Sequence, residues 1–145
     1  MLSLPAVRAN VSDDAEVLAI NGAFYAAFAA GDFAAMDALW ACEAPVACIH
    51  PGWPPVHGRQ NVMSAWRGIL QNPPRPAVRP FDERLTMLGD VGMVIGFEAI
   101  GNITLVATNV FVREGGTWKM VHHQAGGTEK APPEISGDDI PRRVH

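Results

Sequence analysis

The chain has 145 residues, of which 48% are hydrophobic and 18% charged, a balance that suits one compact domain with a single core. Its 11 Lys and Arg against 15 Asp and Glu give a formal charge of -4, so no positive field favours nucleic acid or an anionic membrane surface. No apolar run is long enough to span a bilayer, and Met1–Val11 lacks the pattern of a signal peptide. We therefore expect a cytoplasmic protein with two reduced cysteines, Cys42 and Cys48, and with neither nucleic acid nor membrane as a partner.

The first half of the chain predicts three helices. The first begins after Ser12, whose hydroxyl can cap it, and ends before Gly31. Asp32 caps a second, shorter helix, which Pro45 stops. The third begins after Gly58 and is broken by a later pair of prolines. Each helix has apolar residues at spacings of three and four, as expected for an element with one buried face.

A short apolar run, residues 46–49, lies between the second and third helices and predicts a buried strand. It leads into a loop, residues 50–58, that is rich in proline and glycine. Two residues with useful chemistry, His50 and Trp53, lie in this loop.

The second half of the chain predicts a four-stranded antiparallel meander. Three dipeptides that suit two-residue hairpin turns divide it, namely Gly89-Asp90, Gly101-Asn102 and Gly115-Gly116. Helices followed by such a meander define an α+β fold, with three N-terminal helices packed on one face of a curved, mainly antiparallel sheet. We expect a single domain over residues 1–127. Residues 128–145, rich in Pro, Asp and Glu, are expected to form a separate polar tail.

The tight turns also predict which strand residues face each other. Counting from each turn places His122 opposite Asn109, and Asn109 opposite Val94, on one face of the sheet. By alternation the same face also carries Glu83, Glu98, Phe111 and Met120. His123 falls on the opposite face, which is almost entirely aliphatic, and we expect a second copy of the chain to cover that outer face in a homodimer. A β-bulge would reverse the assignment of every residue beyond it.

Several of these segments together resemble one known family. They are Phe24–Asp32 at the end of the first helix, Trp40, His50-Pro51, Gly58, and Gly116–His123 in the last strand. This arrangement, over roughly residues 12–126, is similar to the SnoaL-like branch of the NTF2-like superfamily. The resemblance implies a cone-shaped α+β fold with an apolar pocket inside and dimerisation through the outer sheet face. The superfamily includes polyketide cyclases, ketosteroid isomerases, dehydratases and non-enzymatic proteins, so the fold alone does not give the activity.

The residues that ketosteroid isomerases use are not at the matching positions. The catalytic tyrosine of the first helix is matched by Phe24, and Tyr25, one residue later, is expected to point about 100° away. The proton-carrying aspartate is matched by Cys48, or by His50 after a two-residue shift. The carboxyls of the oxyanion hole are absent, and Asn109 holds one of their positions. We therefore expect no steroid isomerisation by the usual residues.

His122, His50 and Asn109 are the candidate catalytic residues. A pocket-facing imidazole titrates near pH 6.5 and can transfer protons at neutral pH, which favours His122 first and His50, at the pocket mouth, second. Asn109 is expected to polarise a developing oxyanion of the ligand. The alternatives are a histidine that only packs across the sheet and a loop histidine that only holds the prolines. Because these histidines and His57 have no local ligand spacing, we expect no metal site and no cofactor.

Eight further residues are expected to line the pocket and bind its ligand, namely Phe24, Phe28, Trp40, Trp53, Trp66, Glu98, Phe111 and Met120. Aromatic rings offer flat apolar surface to a ring-shaped molecule, and Trp53 is the candidate lid. Glu98, if buried among apolar residues, would have a raised pKa and would suit a general acid or base. The alternative is that the helical tryptophans belong to the core and that Glu98 lies at the sheet edge.

Three classes of function remain open. The first is an enzyme that encloses a small apolar, carbonyl-bearing molecule and catalyses isomerisation, cyclisation or dehydration by acid–base chemistry. The second is a module of the same fold that binds a ligand or dimerises without turnover, which the missing isomerase residues favour. In the third, residues 128–145 dock the chain into a larger assembly.

Overall fold

The computed structural model describes residues 12–129, which form three helices and one six-stranded sheet. The helices are α1 (Asp13–Ala30), α2 (Phe33–Leu39) and α3 (Arg59–Gln71). The strands are β1 (Ala47–Ile49), β2 (Val56–His57), β3 (Arg79–Leu88), β4 (Val91–Ile100), β5 (Ile103–Glu114) and β6 (Thr117–Gly127), in the sheet order β2-β1-β6-β5-β4-β3. This confirms the predicted α+β fold of three helices on a curved, mainly antiparallel sheet.

Within the described residues, no helix combines the length and the apolar character that crossing a membrane requires. The predicted tail, from residue 130 on, lies outside the described residues.

Local capping fixes the ends of α1 and α2, as the sequence predicts. The hydroxyl of Ser12 accepts a hydrogen bond from the Ala15 amide at 3.1 Å. Gly31 ends α1 in the left-handed conformation, and its amide donates to carbonyls of the last helical turn. The Asp32 carboxylate accepts from the Ala35 amide at 3.0 Å and begins α2. The two helices therefore meet in a tight hairpin.

Three hairpins join β3 to β6 at the predicted turns. The pairs that flank the turns are Leu88 with Val91, Ile100 with Ile103, and Glu114 with Thr117. Val94 faces both Leu85 and Asn109, as predicted. Strand β1 extends the meander by parallel pairing with β6, and the unpredicted β2 pairs with β1. Residues 50–55 connect these two short strands.

A β-bulge interrupts the pairing of β5 with β6. Phe111 pairs with Met120, but the next residue back along β5, Val110, pairs with His122. Val121 is therefore an extra residue in β6, between Met120 and His122. Beyond this point, strict alternation counted from the turn is wrong by one residue.

The bulge places His123 inside the molecule and His122 outside. Asn109 pairs with His123, which is 3% exposed. His122 is half-buried on the outer face beside β1, where its Nδ1 lies 3.0 Å from the carbonyl oxygen of Ala47. The prediction that His122 faces Asn109, with His123 on a dimer surface, is therefore wrong, and the extra residue in β6 is the reason.

Large side chains fill the space between the helices and the sheet. Four residues expected in the pocket wall are completely buried in this core, namely Phe24, Trp40, Phe111 and Met120. Trp40 pairs through its backbone with Met120 of β6, so α2 ends in direct contact with the sheet. None of the four lines the cavity described below, and their assignment to a pocket wall is wrong.

The outer face of the sheet carries exposed apolar side chains. Ile95 is 41% exposed and Val106 is 38% exposed, and both point away from the helices. Phe97 and Val110 lie half-buried on the same face. The predicted aliphatic character of this face is present in the structure.

Candidate functional site

A cavity of about 740 Å³ opens between α3, the loop of residues 50–55 and the inner face of the sheet. Four of the predicted wall residues line it, namely Phe28, Trp53, Trp66 and Glu98, and His50 lines it too. The remaining wall is largely apolar and includes Ile69, Val78, Ile100, Ile103 and Leu105. A cavity of this size and character is typical of sites for small molecules.

Three buried polar side chains line this apolar cavity. They are His50 and Glu98, each 4% exposed, and His123. No Lys or Arg is found among the described residues of the wall. Within residues 12–129, no three His, Cys, Asp or Glu side chains are grouped so that they could hold a metal ion. The buried polar groups of the wall are therefore two imidazoles and one carboxyl, beside the exposed Ser64 and Asn72, and the described wall has no cationic side chain.

His123 is held by Asn109 of the neighbouring strand. Its Nδ1 lies 2.6 Å from the Oδ1 of Asn109, and its ring centre lies 4.8 Å from that of Phe24. Burial, with smaller contributions from His50 and His122, lowers the pKa of His123 to about 3. The imidazole is therefore neutral at pH 7, with a hydrogen on one ring nitrogen and a lone pair on the other.

His50 lies at the end of β1 between two tryptophans. Its ring centre is 4.7 Å from that of Trp66 and 4.8 Å from that of Trp53, in edge-to-face arrangements. Burial lowers the pKa of His50 to about 4. Its Nε2 lies 3.6 Å from the sulfur of Cys48, and burial raises the pKa of that thiol to about 12. Cys48 is therefore a neutral thiol at pH 7 and is not a candidate nucleophile.

Tyr25, which the comparison with isomerases had placed off the site, contacts the buried carboxyl. Its hydroxyl donates a hydrogen bond to Oε2 of Glu98 at 2.6 Å. Burial raises the pKa of Glu98, and the hydrogen bond from Tyr25 opposes that rise. Burial, together with the Glu98 carboxylate, raises the pKa of Tyr25, so its hydroxyl stays protonated. Glu98 is thus a buried cavity acid, not an edge residue.

A chain of hydrogen bonds connects His123 to α1 and β3. Asn109 donates through Nδ2 to Oδ1 of Asn21 at 2.8 Å, and Asn21 donates through Nδ2 to Oε2 of Glu83 at 2.6 Å. The Nδ2 of Asn109 also lies 3.4 Å from the Tyr25 hydroxyl. Asn109 thus uses both ends of its amide within the protein and does not line the cavity. Its predicted direct hydrogen bond to a ligand is absent from this arrangement.

Three residues of this site, His123, Tyr25 and Asn21, are not among the residues that the sequence predicts for it. His123 and Tyr25 directly follow His122 and Phe24, which the sequence comparison considered, so each prediction is off by one residue. Asn21 did carry a usable signal, because it is a polar residue on the apolar side of α1 and is 1% exposed. A polar side chain at such a position needs a buried partner, which points to a network.

Family membership follows from the sequence together with this fold. The chain belongs to the SnoaL-like domain family, whose model matches residues 17–126. Among curated proteins, none matches it. A "putative dehydratase" of the NTF2-like family from Streptomyces avermitilis has a similar structure, with 29% identity and a TM-score of 0.73 over 81% of this chain and 97% of that chain.

Two further structures extend the comparison. A "putative calcium/calmodulin-dependent protein kinase type II association domain" from Thiobacillus denitrificans is 32% identical, with a TM-score of 0.65 over 82% of this chain and 97% of that chain. A "putative ketosteroid isomerase" from Parabacteroides distasonis is 14% identical, with a TM-score of 0.62 over 78% of this chain and 86% of that chain, and shows the fold alone. The predicted SnoaL-like, NTF2-like cone is confirmed. The relatives carry names of enzymes and of an association domain, so both classes of function remain compatible with the family.

Proposed function

We propose that the chain encloses a small apolar molecule with a carbonyl group and catalyses acid–base chemistry on it, such as isomerisation, cyclisation or dehydration. The observation that carries the proposal is the presence of His123 and Glu98, both buried, in the wall of one apolar cavity. A site that excludes water while presenting a few proton-transfer groups suits such reactions. The relative from Streptomyces avermitilis that is named a dehydratase supports the same class of chemistry.

In this proposal His123 accepts a proton from the ligand. The carbon next to the carbonyl transfers its proton to the lone pair of the imidazole, and the electron pair of the C–H bond forms a C=C bond. The π pair of the C=O bond moves to oxygen, which takes a proton from Glu98 to give an enol. Because the pKa of His123 is lowered to about 3, the imidazole is a weak base. The substrate therefore needs an activated C–H bond, as in a hydroxy-carbonyl or a conjugated ketone.

Glu98 is the proposed proton donor. Its raised pKa favours the neutral carboxyl, which can donate to the carbonyl oxygen or to a leaving hydroxyl that departs as water. His50 is the second candidate for proton transfer, because it is the other buried imidazole of the cavity. The aromatic side chains of Phe28, Trp66 and Trp53 supply apolar contact surface for the ligand.

A turnover assay with matched histidine variants tests this proposal. The substrates are a panel of ketones, enols and hydroxy-carbonyl compounds of one or two rings. We expect His123→Ala to lower kcat/KM at least about a hundredfold, which is the usual range for losing a general base. His122→Ala is the control, since that side chain lies on the outer face, and it should retain most of the activity. Equal turnover by wild type and His123→Ala would contradict the proposal.

A second candidate function is a non-catalytic module that binds a ligand or assembles copies of the chain. The 32% identical relative named an association domain favours it. A wild-type protein that binds ring compounds and turns over none of the panel would support this candidate. The open cavity argues for ligand binding in either case.

We further propose that two copies of the chain pair through the outer sheet face. Exposed Ile95 and Val106 support this, because a continuous apolar sheet surface is unfavourable in water. A cytoplasmic location is also part of the proposal. The two free cysteines, Cys42 and Cys48, agree with a reducing compartment.

A further inference from the structure

We propose that the cavity selects an apolar ligand that donates a hydrogen bond, such as a hydroxylated ring, because the protein fixes the Nε2 atom of His123 as a hydrogen-bond acceptor. The inference rests on the proposed function, since it specifies the ligand of the same cavity. Three observations carry it: the direction of the hydrogen bonds behind His123, the lack of a described partner for its second nitrogen in a residue of the cavity wall, and the absence of cationic groups from the described wall.

The direction of the hydrogen bonds is set at Glu83. Nδ2 of Asn21 donates its hydrogen bond to Oε2 of Glu83. Asn21 then turns its oxygen toward Asn109, which must donate through its own Nδ2. The oxygen of Asn109 is left for the last bond, and an amide oxygen can only accept. The three bonds therefore run in one direction, from His123 through Asn109 and Asn21 to Glu83.

The last bond determines the tautomer of His123. Because Oδ1 of Asn109 only accepts, Nδ1 of His123 must carry the hydrogen. In a neutral ring the other nitrogen, Nε2, then holds the lone pair. Nε2 has no hydrogen-bond partner among the described residues, and His123 is part of the cavity wall. A ligand that meets this atom must therefore donate.

Glu98, the one buried carboxyl of the wall, is itself held by the protein. Oε2 of Glu98 accepts from Tyr25, whose hydroxyl oxygen faces the donating Nδ2 of Asn109 at 3.4 Å. The described wall has no Lys or Arg to offset the charge of a buried anionic ligand. The ligand expected from this wall is neutral and apolar, and it carries a hydroxyl group.

The tautomer is tested by NMR on uniformly ¹⁵N-labelled protein at neutral pH. Long-range ¹H–¹⁵N correlations of the imidazole rings distinguish hydrogen on Nδ1 from hydrogen on Nε2. We expect the Nδ1–H form for His123, assigned by loss of its signals in His123→Phe. The exposed His57 serves as the reference for an unconstrained ring. An Nε2–H form in wild type would overturn the inference.

A pair of asparagine variants tests whether the chain causes this preference. Asn109→Leu keeps a similar volume but removes the acceptor, so His123 should lose its preference for Nδ1–H. Asn61→Leu is the control, because Asn61 is exposed and bonds only to the His57 carbonyl. A pure Nδ1–H form retained in Asn109→Leu would overturn the positioning role. Where Asn109→Leu fails to fold, Asn21→Leu tests the same chain one bond further away.

The ligand class is tested with 2-naphthol and 2-methoxynaphthalene, which share one ring system and differ in the donor. Calorimetric titration should give 2-naphthol roughly tenfold higher affinity, as expected for one hydrogen bond. Equal affinities, or no binding of either probe, would overturn the ligand class. Absence of turnover in the substrate panel would instead contradict the proposed catalysis and leave the tautomer and binding results unchanged, so the two proposals fail separately.

Discussion

The chemistry of His123 depends on burial. In the low-dielectric interior the charged imidazolium is disfavoured. The pKa of His123 therefore falls to about 3, and the pKa of His50, which lies between two tryptophans, falls to about 4. Both rings are neutral at physiological pH, so they serve as lone-pair acceptors and not as cations. A shallow exposed histidine would instead titrate near pH 6.5.

Stability should therefore fall as the pH is lowered from about 6.5 toward 4. In that window His50 and His123 bind protons in the unfolded chain but stay neutral in the folded protein. The free energy of unfolding therefore decreases with decreasing pH. Each buried histidine contributes a slope of at most about 1.4 kcal/mol per pH unit. The raised pKa of Glu98 acts in the opposite direction.

Comparing wild type with His50→Phe isolates one of these titrations, because Glu98 and His123 are present in both proteins. Urea unfolding at about pH 7 and about pH 5 should show a smaller loss of stability in His50→Phe. The aromatic ring of the variant still fills the space beside Trp66. An identical loss in both proteins would contradict the neutral, buried state assigned to His50.

Truncation of Trp40 and of Trp53 should affect different properties, stability for Trp40 and ligand binding for Trp53. Trp40 is completely buried in the core, so Trp40→Ala should lower the free energy of unfolding by about 3–5 kcal/mol. Trp53 is 44% exposed at the cavity, so Trp53→Ala should cost less than about 1 kcal/mol but weaken the binding of an apolar ring several-fold. Chemical denaturation and ligand titration measure the two effects. A large loss of stability in Trp53→Ala would rule out its role as a cavity wall.

Among the elements, α1 connects the cavity to the hydrogen bonds behind it. Asn21 and Tyr25 project from one side of it toward β5, and Phe28 lines the cavity one turn later. The helix is bounded at both ends by local caps, Ser12 and Gly31. The register of these caps therefore fixes which residues of α1 reach the sheet.

Two glycines of α1 should have opposite effects when replaced by alanine. Gly31 has a φ of 65°, and an added Cβ would lie 2.6 Å from the Arg75 guanidinium, so Gly31→Ala should destabilise by about 1 kcal/mol or more. Gly22 lies inside the helix with no atom within 4 Å of such a Cβ, so Gly22→Ala should stabilise by about 0.5–1 kcal/mol. Thermal unfolding checks both. Stabilisation by Gly31→Ala would contradict the cap assignment.

Local signals account for the elements that the sequence predicts correctly. Caps such as Asp32 and turn dipeptides such as Gly101-Asn102 act over a few residues, so they can be interpreted without the fold. The bulge at Val121 arises where β6 pairs with β5 on one side and with β1 on the other, and no short pattern encodes it. The sequence therefore predicts the order of the strands correctly, but the one extra residue in β6 makes the predicted faces of His122 and His123 wrong.

Contacts between distant elements explain the errors in the pocket wall. The apolar stripe that carries Trp40 is the same for a core helix and for a cavity wall, and only its packing on β6 distinguishes the two. His50, Phe28 and Trp66 line the cavity because the loop, α1 and α3 border the open side of the sheet; their roles toward a ligand stay a prediction.

At the scale of the whole molecule, the two faces of the sheet differ in what they contact. Its inner face, with the helices, encloses the cavity, and its outer face exposes apolar residues such as Ile95 and Val106. Pairing of two copies through the outer face would leave both cavities open, since each cavity is on the opposite side of its sheet. Association and ligand binding are therefore compatible in one assembly.

Light scattering coupled to size exclusion should give about twice the chain mass of 15.6 kDa for wild type. The double variant Ile95→Lys/Val106→Lys should elute as a monomer, because it places charges on the proposed interface. Leu18→Lys is the matched control, since Leu18 is 42% exposed on α1, and it should leave the mass unchanged. A monomeric wild type would contradict pairing through the sheet.

The most direct measurement is a crystal structure of the protein with 2-naphthol. The account predicts the ring system inside the cavity against Trp66 and the hydroxyl within hydrogen-bond distance of Nε2 of His123. Density for the ring outside the cavity, or a hydroxyl that does not contact Nε2 of His123, would contradict this assignment.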